Sequence, residues 1–213
     1  EAINSCLKQN YKKIEIIFFN DGSTDNSLKI VKNFIHKNKV KDIKVLINKK
    51  KRGKIFSYNQ INAIQTSLKY CKGEYICLLD SDDFFKKEKI KKIISFFKKN
   101  IEEKILFDKP IYFPKKKNIF YFKRNIKWPK FPPTSCISLE KNEFSKVLKK
   151  INFKKYPNLW LDFRIAVYFS VNRNQFNVSE SQLTYYRQNE YNFDNRYKKY
   201  LNKNWWKRRA EAF

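Results

Sequence analysis

The chain has 213 residues, 42% hydrophobic and 17% aromatic, with a formal net charge of +28. That length suits one domain, or a domain with a small appendage, and can bury a real core. The charge invites a nucleic-acid reading, since counterion release rewards any basic surface that meets phosphates. It comes, however, from 40 lysines spread over the whole length against 8 arginines, and arginine is the residue suited to bidentate phosphate and base contacts. The lysines are therefore read as a solvated basic face, with no nucleic-acid partner. Cys6, Cys71, Cys77 and Cys136 form no CxxC pair and no zinc spacing, which points to reduced core residues of a cytoplasmic protein. No run of 18 apolar residues is present, and the expectation is neither a membrane span nor a signal for export.

Residues 1–11 repeat apolar positions at helical spacing. The chain begins without Met, and the expectation is a fragment. Ile14 to Phe19 reads as a strand leading through a turn into a helix with Leu28, Ile30, Val31, Phe34 and Ile35 on its apolar face, N-capped by Thr24 or Asp25. A second strand is expected at 43–47, then a basic loop from Asn48 to Lys54, a helix from Tyr58 to Cys71 and a strand from Tyr75 to Leu79. Strand and helix alternate, which argues for a parallel sheet covered on both faces. Such sheets bind ligands beyond the carboxyl ends of their strands, where Asp21 and the group Asp80, Asp82 and Asp83 fall. A helix is expected over Lys87 to Asn100, short proline-punctuated strands over 105–131, a helix capped by Ser138 with Leu139, Phe144, Val147 and Leu148 buried, and a largely apolar helix carrying Asp162 and Arg164.

Three carboxylates in one turn would repel one another unless a cation, hydrogen-bond donors or bulk water stabilised them. The stretches "IEIIFFNDGSTDNS" and "GEYICLLDSDD", about 60 residues apart and each at a strand end, resemble the family 2 glycosyltransferases, inverting nucleotide-sugar enzymes with a GT-A fold. The resemblance implies an α/β fold with a Rossmann-like, mostly parallel sheet flanked by helices and a smaller acceptor-side α+β portion. Residues 1–100 would form the nucleotide-sugar-binding half, and 101–213 the acceptor-binding half with a C-terminal helical segment. It further implies sugar transfer from a nucleotide donor, UDP-linked, to a hydroxyl of a surface glycan or glycolipid, as in polysaccharide biosynthesis.

Carried over by residue, the resemblance makes Asp82 the ligand of Mn²⁺ or Mg²⁺, a cation that neutralises a diphosphate leaving group. Asp80 would contact the ribose or hold the turn, and Asp83 would support the site or cap the following helix. Asp21 would accept the imide N–H of a uracil ring, although an Asp-Gly-Ser turn is also built for backbone reasons. Lys54, with Arg52 as a second candidate, would lie near the donor phosphates, with a solvated loop as the alternative. Arg187, in "LTYYRQNEYNF", fits a phosphate clamp. Asp162 would be the general base, against a structural acid held by a cap or ion pair; burial would raise its pKa, and pairing with Arg164 would lower it. The chain departs from the family at Asn20, Ile64, Gln65, Leu161 and Asn189. The family's first strand would precede residue 1. Trp205 and Trp206 beside Lys207, Arg208 and Arg209 read as a peripheral membrane contact or a core-covering helix. A different class of function, a non-catalytic basic module of the same fold that attaches to anionic lipid or nucleic acid, is the alternative.

Overall fold

The computed structural model describes residues 1–48, 53, 55–113, 132–151, 155–173, 175–188 and 210–211. The elements in chain order are α1 (Ala2–Leu7), β1 (Ile16–Asn20), α2 (Ser27–Lys37), β2 (Ile43–Ile47), α3 (Phe56–Leu68), β3 (Tyr75–Cys77), β4 (Phe84–Phe85), α4 (Lys89–Lys99), β5 (Ile105–Phe113), β6 (Ile137–Glu140), α5 (Lys141–Lys150), α6 (Leu161–Arg173) and β7 (Val178–Arg187). No helix among the described residues is long and apolar enough to cross a membrane.

The first half follows the expected alternation of strand and helix. Ile16–Asn20 pairs in parallel with Ile43–Ile47. α2 begins two residues later than the candidate caps, after Asn26, yet Asp25 Oδ1 accepts the Ser27 N–H at 2.9 Å and so serves the helix start. Ile30, expected on the apolar face, is exposed.

A five-stranded sheet in the order β3-β6-β5-β7-β4 forms the rest of the framework. β5 and β7 run parallel, whereas β6 lies antiparallel between β3 and β5, and β4 antiparallel on β7. Ser138 and Leu139, expected at the start of a helix, are therefore strand residues paired with Cys77 and Ile76. Helix α5 begins only at Lys141, and Phe144, Val147 and Leu148 are buried on it as expected. The reason is positional: Ile137 to Glu140 lies between two strands that need its backbone donors and acceptors, and this overrides the helical periodicity. The expected short strands after residue 105 form one strand to Phe113, with Pro110 at a register shift where its missing N–H is tolerated. Residues 114–131 lie outside the described residues.

Successive residues of a strand face opposite sides, and β5 uses both. Ile105 and Phe107 join Ile137, Leu139, Phe144, Leu161, Ile165 and Phe169 in one core beneath α3, α5 and α6. Leu106 faces the other way, into a smaller core with Ile93 and Phe97 of α4 and Leu183 of β7. Helix α6 is buried around most of its circumference because Leu161, Ile165 and Phe169 recur at helical spacing while Phe163, Ala166 and Tyr168 fill the flanks.

Phe169→Ala is expected to cost about 3–5 kcal/mol of unfolding free energy, because it removes a fully buried ring from this core. Val171→Ala, two residues on but 76% exposed, should stay within about 0.5 kcal/mol. Urea denaturation of both variants measures the difference.

Candidate active site

β3 ends in a turn because Ile76 and Cys77 are held in the ladder, Leu78 still donates to the Ile137 carbonyl at 3.1 Å, and Asp83 N–H then closes back on the Asp80 carbonyl at 3.2 Å. The Asp80 N–H donates to Ser135 Oγ at 2.9 Å. Ser135 belongs to a 3-10 turn, Thr134–Cys136, that follows Pro132 and Pro133 and leads into β6.

Asp80 is half-buried. Desolvation, then the charges of Asp83, Asp82 and Asp162, push its pKa up to about 8, while the Gln60 side chain from α3 pulls the other way. Asp83 is 1% exposed. Burial raises its pKa to about 6, opposed by the Ser135 hydroxyl and by the Arg187 N–H, which donates to Asp83 Oδ1 at 2.8 Å. Its other oxygen, Oδ2, is buried with no hydrogen-bond partner among the described residues. Asp83 does not cap α4, whose N-cap is Glu88.

Arg187, the last residue of β7, sits directly on this turn. Its Nε donates to the Asp82 carbonyl at 2.9 Å, its Nη2 pairs with Glu1, and its guanidinium lies 5.3 Å from the Phe113 ring centroid and 5.8 Å from that of Phe84. The "LTYYR" part of the expected phosphate-clamp segment is thus a strand end, held by β4 and β5 on either side.

Asp162 is the second residue of α6 and is half-buried. Its Oδ1 accepts the Phe163 N–H at 2.8 Å, and the Thr134 hydroxyl approaches Oδ2 at 3.4 Å. Its charge reaches Asp80. Arg164 turns its donors instead to the carbonyls of Lys155, Tyr156 and Leu159.

The structure thus brings together Asp80, Asp82, Asp83, Asp162 and Arg187. Asp21 stands at the end of β1 on the other sheet, its Oδ1 accepting from Asn48 Nδ2 at 2.7 Å, with Gly22 at φ +69° making the turn. Lys54, Arg52 and the stretch 205–209 lie outside the described residues. Ser135, Thr134 and Gln60 escaped the sequence reading. The only local signal was a Thr-Ser pair after two prolines, and a Gln on a helix carries none.

Among the described residues, no group of three or more His, Cys, Asp or Glu could hold a metal ion. The orphaned Asp83 Oδ2 and the mutual repulsion around Asp80 are what a bound cation would relieve, with the remaining oxygen ligands supplied by phosphate and water.

Comparison with known proteins bears on the family and the fold. The chain is 37% identical over 100 residues to an uncharacterized glycosyltransferase of Haemophilus influenzae, covering 47% of this chain and 37% of that protein. It is 36% identical over 115 residues to the Escherichia coli UDP-Glc:alpha-D-GlcNAc-diphosphoundecaprenol beta-1,3-glucosyltransferase WfaP, covering 54% and 41%. The chain thus spans about two fifths of the length of these relatives. Among solved structures, S. aureus TarS 1–349 in complex with UDP aligns over 89% of this chain and 56% of its own, with a TM-score of 0.59 at 21% identity. The same protein in complex with UDP-GlcNAc aligns with a TM-score of 0.60 at 19% identity, over 89% and 54%. The fold is therefore the GT-A type of α/β architecture. The family model described as glycosyl transferase family 2 matches residues 1–173, and the chain belongs to that family.

Proposed function

We propose that the chain supplies the donor-binding and catalytic parts of a metal-dependent inverting glycosyltransferase. It would move a sugar from a UDP-linked donor to a hydroxyl of a surface glycan or glycolipid at the cytoplasmic face of a membrane. The observation that carries the reading is the meeting, at the end of β3, of a carboxylate turn, the Arg187 guanidinium and the Asp162 carboxylate from a helix some 80 residues downstream. WfaP, whose name gives a UDP-glucose donor and a diphosphoundecaprenol-linked acceptor, lends support to the donor and acceptor classes.

In this reading Asp162 takes the proton of the acceptor hydroxyl as that oxygen attacks the anomeric carbon. The bond to the diphosphate breaks on the opposite face, and its electron pair leaves with the nucleotide. Charge on the leaving diphosphate is met by Arg187. Asp82, with Asp80 and Asp83 behind it, would hold Mn²⁺ or Mg²⁺, which would supply further neutralisation of the phosphate oxygens. Asp21, oriented by Asn48, accepts from the base.

The direct test is a screen of nucleotide sugars on the full-length protein, with and without Mn²⁺ or Mg²⁺. Transfer or donor hydrolysis with one of them is expected, and no binding under any metal overturns the reading. Asp82→Asn should lower transfer at least about a hundredfold, measured as initial rate against metal concentration. Asp162→Asn keeps size and polarity but cannot take a proton. Turnover should fall about a hundredfold or more while UDP affinity stays within about threefold, and parallel loss of affinity and melting temperature would make Asp162 structural.

The shifts at Asp80 and Asp83 give a pH dependence. Both carboxyls titrate above their ordinary range in the folded chain, so the folded state holds protons that the unfolded state has released. Metal-free stability should therefore fall as pH rises from about 4 to 8. Cation binding displaces those protons, so Mn²⁺ should raise the melting temperature more at pH 8 than at pH 6, and Asp80→Asn should flatten both trends. Thermal melts across pH, with and without Mn²⁺ and UDP, provide the measurement.

A further inference from the structure

Lys89 is the first residue of α4, a poor place for a cation, since the helix dipole presents its positive end there. Its side chain is 0% exposed. In a sequence with 40 lysines, this one is withdrawn from water, where an ammonium costs several kcal/mol unless paired and fully hydrogen-bonded. Each of its three protons has an acceptor: Asp108 Oδ1 at 2.6 Å, the Ser135 carbonyl at 2.8 Å and Thr184 Oγ1 at 2.7 Å. The Phe85 ring centroid lies 4.1 Å from Nζ. Asp108, also 0% exposed, sits in the register shift of β5 between Phe107 and Lys109, and its Oδ2 accepts the Thr184 hydroxyl at 2.7 Å.

Stability alone does not account for such a node, because apolar residues of similar volume often replace a buried pair at no cost. What the node touches is more telling. Ser135 bonds Lys89 through its carbonyl and the carboxylate turn through its hydroxyl, which accepts the Asp80 N–H. Thr184 bonds Lys89 and lies three residues before Arg187, the residue that holds the Asp82 carbonyl and the Asp83 carboxylate from the other side. Both supports of the turn therefore converge on one buried ammonium.

We propose that Lys89, neutralised by Asp108, is a positioning residue for the carboxylate turn: it fixes Ser135 and Thr184 so that Asp80, Asp82 and Asp83 are held ready for cation and diphosphate. The ligand part of this proposal rests on the glycosyltransferase reading above; the positioning part does not.

The test uses the full-length protein with Lys89→Met and Asp108→Leu combined, which removes both charges together. In that variant the Thr184 hydroxyl, 3.2 Å from the Ser135 carbonyl, is left to satisfy it. Circular dichroism and thermal melting should show a folded protein of wild-type or higher stability. Amide hydrogen exchange should then be at least about tenfold faster at Asp80 and Asp83 than in wild type, with Ile105, Leu106 and Leu139 unchanged. Titration with Mn²⁺ and UDP should show affinity weakened by about tenfold. Unchanged exchange at the turn overturns the positioning role. Faster exchange with wild-type affinity for Mn²⁺ and UDP overturns its bearing on the ligands. Wild-type protein that binds neither Mn²⁺ nor UDP refutes the glycosyltransferase reading and the ligand part, and the exchange result still decides the positioning part. If the combined variant does not fold, Lys89→Arg supplies the same exchange reading: it keeps the charge but cannot place three single donors as an ammonium does. Wild-type exchange at Asp80 in that folded variant also overturns the proposal.

Discussion

Like charges crowded on one short turn are the constraint to which the surrounding structure answers. Asp80 feels the charges of Asp83, Asp82 and Asp162 on top of its desolvation. Burial first, and neighbouring charge second, raise the pKa values of Asp80 and Asp83, so protonation is part of the response. Another part is a set of donors aimed at the turn, from the Ser135 hydroxyl and the Arg187 amide and guanidinium. Asp83 Oδ2 nevertheless stays buried without a hydrogen-bond partner among the described residues, the kind of acceptor a cation would satisfy. Under the proposed function such a turn would present its carboxylates already placed for the ligand.

The acidic turn stands in a chain of net charge +28, and the two features work at different ranges. Beyond the screening length of about 8 Å at physiological salt, exposed lysines act only as a diffuse field that favours the approach of anions. Inside the site, selection passes to fixed groups at hydrogen-bonding distance. Under the proposed function the field would favour the approach of an anionic nucleotide sugar, and the carboxylate turn would meet its diphosphate through a cation. Nucleic acid would use the field but has no use for a turn of acids.

The carboxylate turn was legible in the sequence because its residues are contiguous and end an apolar run, so local pattern alone locates it. Asp162 and Arg187 were found through resemblance, since nothing in their own neighbourhood says that they meet residues more than 80 positions away, up to 105 for Arg187. Sheet order was not legible. Ile137–Glu140 is too short to show alternation against the stronger helical pattern that follows, and its strand state is set by partners 30 or more residues off. The same reason hid β7, whose partners are the short β4 and the irregular end of β5. Lys89 illustrates the limit most sharply. Burial distinguishes it from its fellow lysines, and burial is a property of the assembled sheet and helix that no single position encodes.

Asp162 is positioned by different means from the turn it faces. Leu161, Phe163 and Ile165 lock the start of α6 into the core, and the lead-in is held by Arg164, which grips the carbonyl of Tyr156 in its left-handed conformation at φ +62°. A bulky residue in that region costs of order 1–3 kcal/mol, and the guanidinium, joined by the Ser57 hydroxyl on the Pro157 carbonyl, makes the strained path the one that satisfies its buried donors. The position of Asp162 is thus set by packing and backbone, whereas the carboxylate turn is held by the β3–β6 ladder, the Asp83–Asp80 backbone bond and bonds to Ser135 and Arg187. The two supports are built separately, yet the Asp162 charge acts on Asp80, so the carboxylates remain coupled through the field.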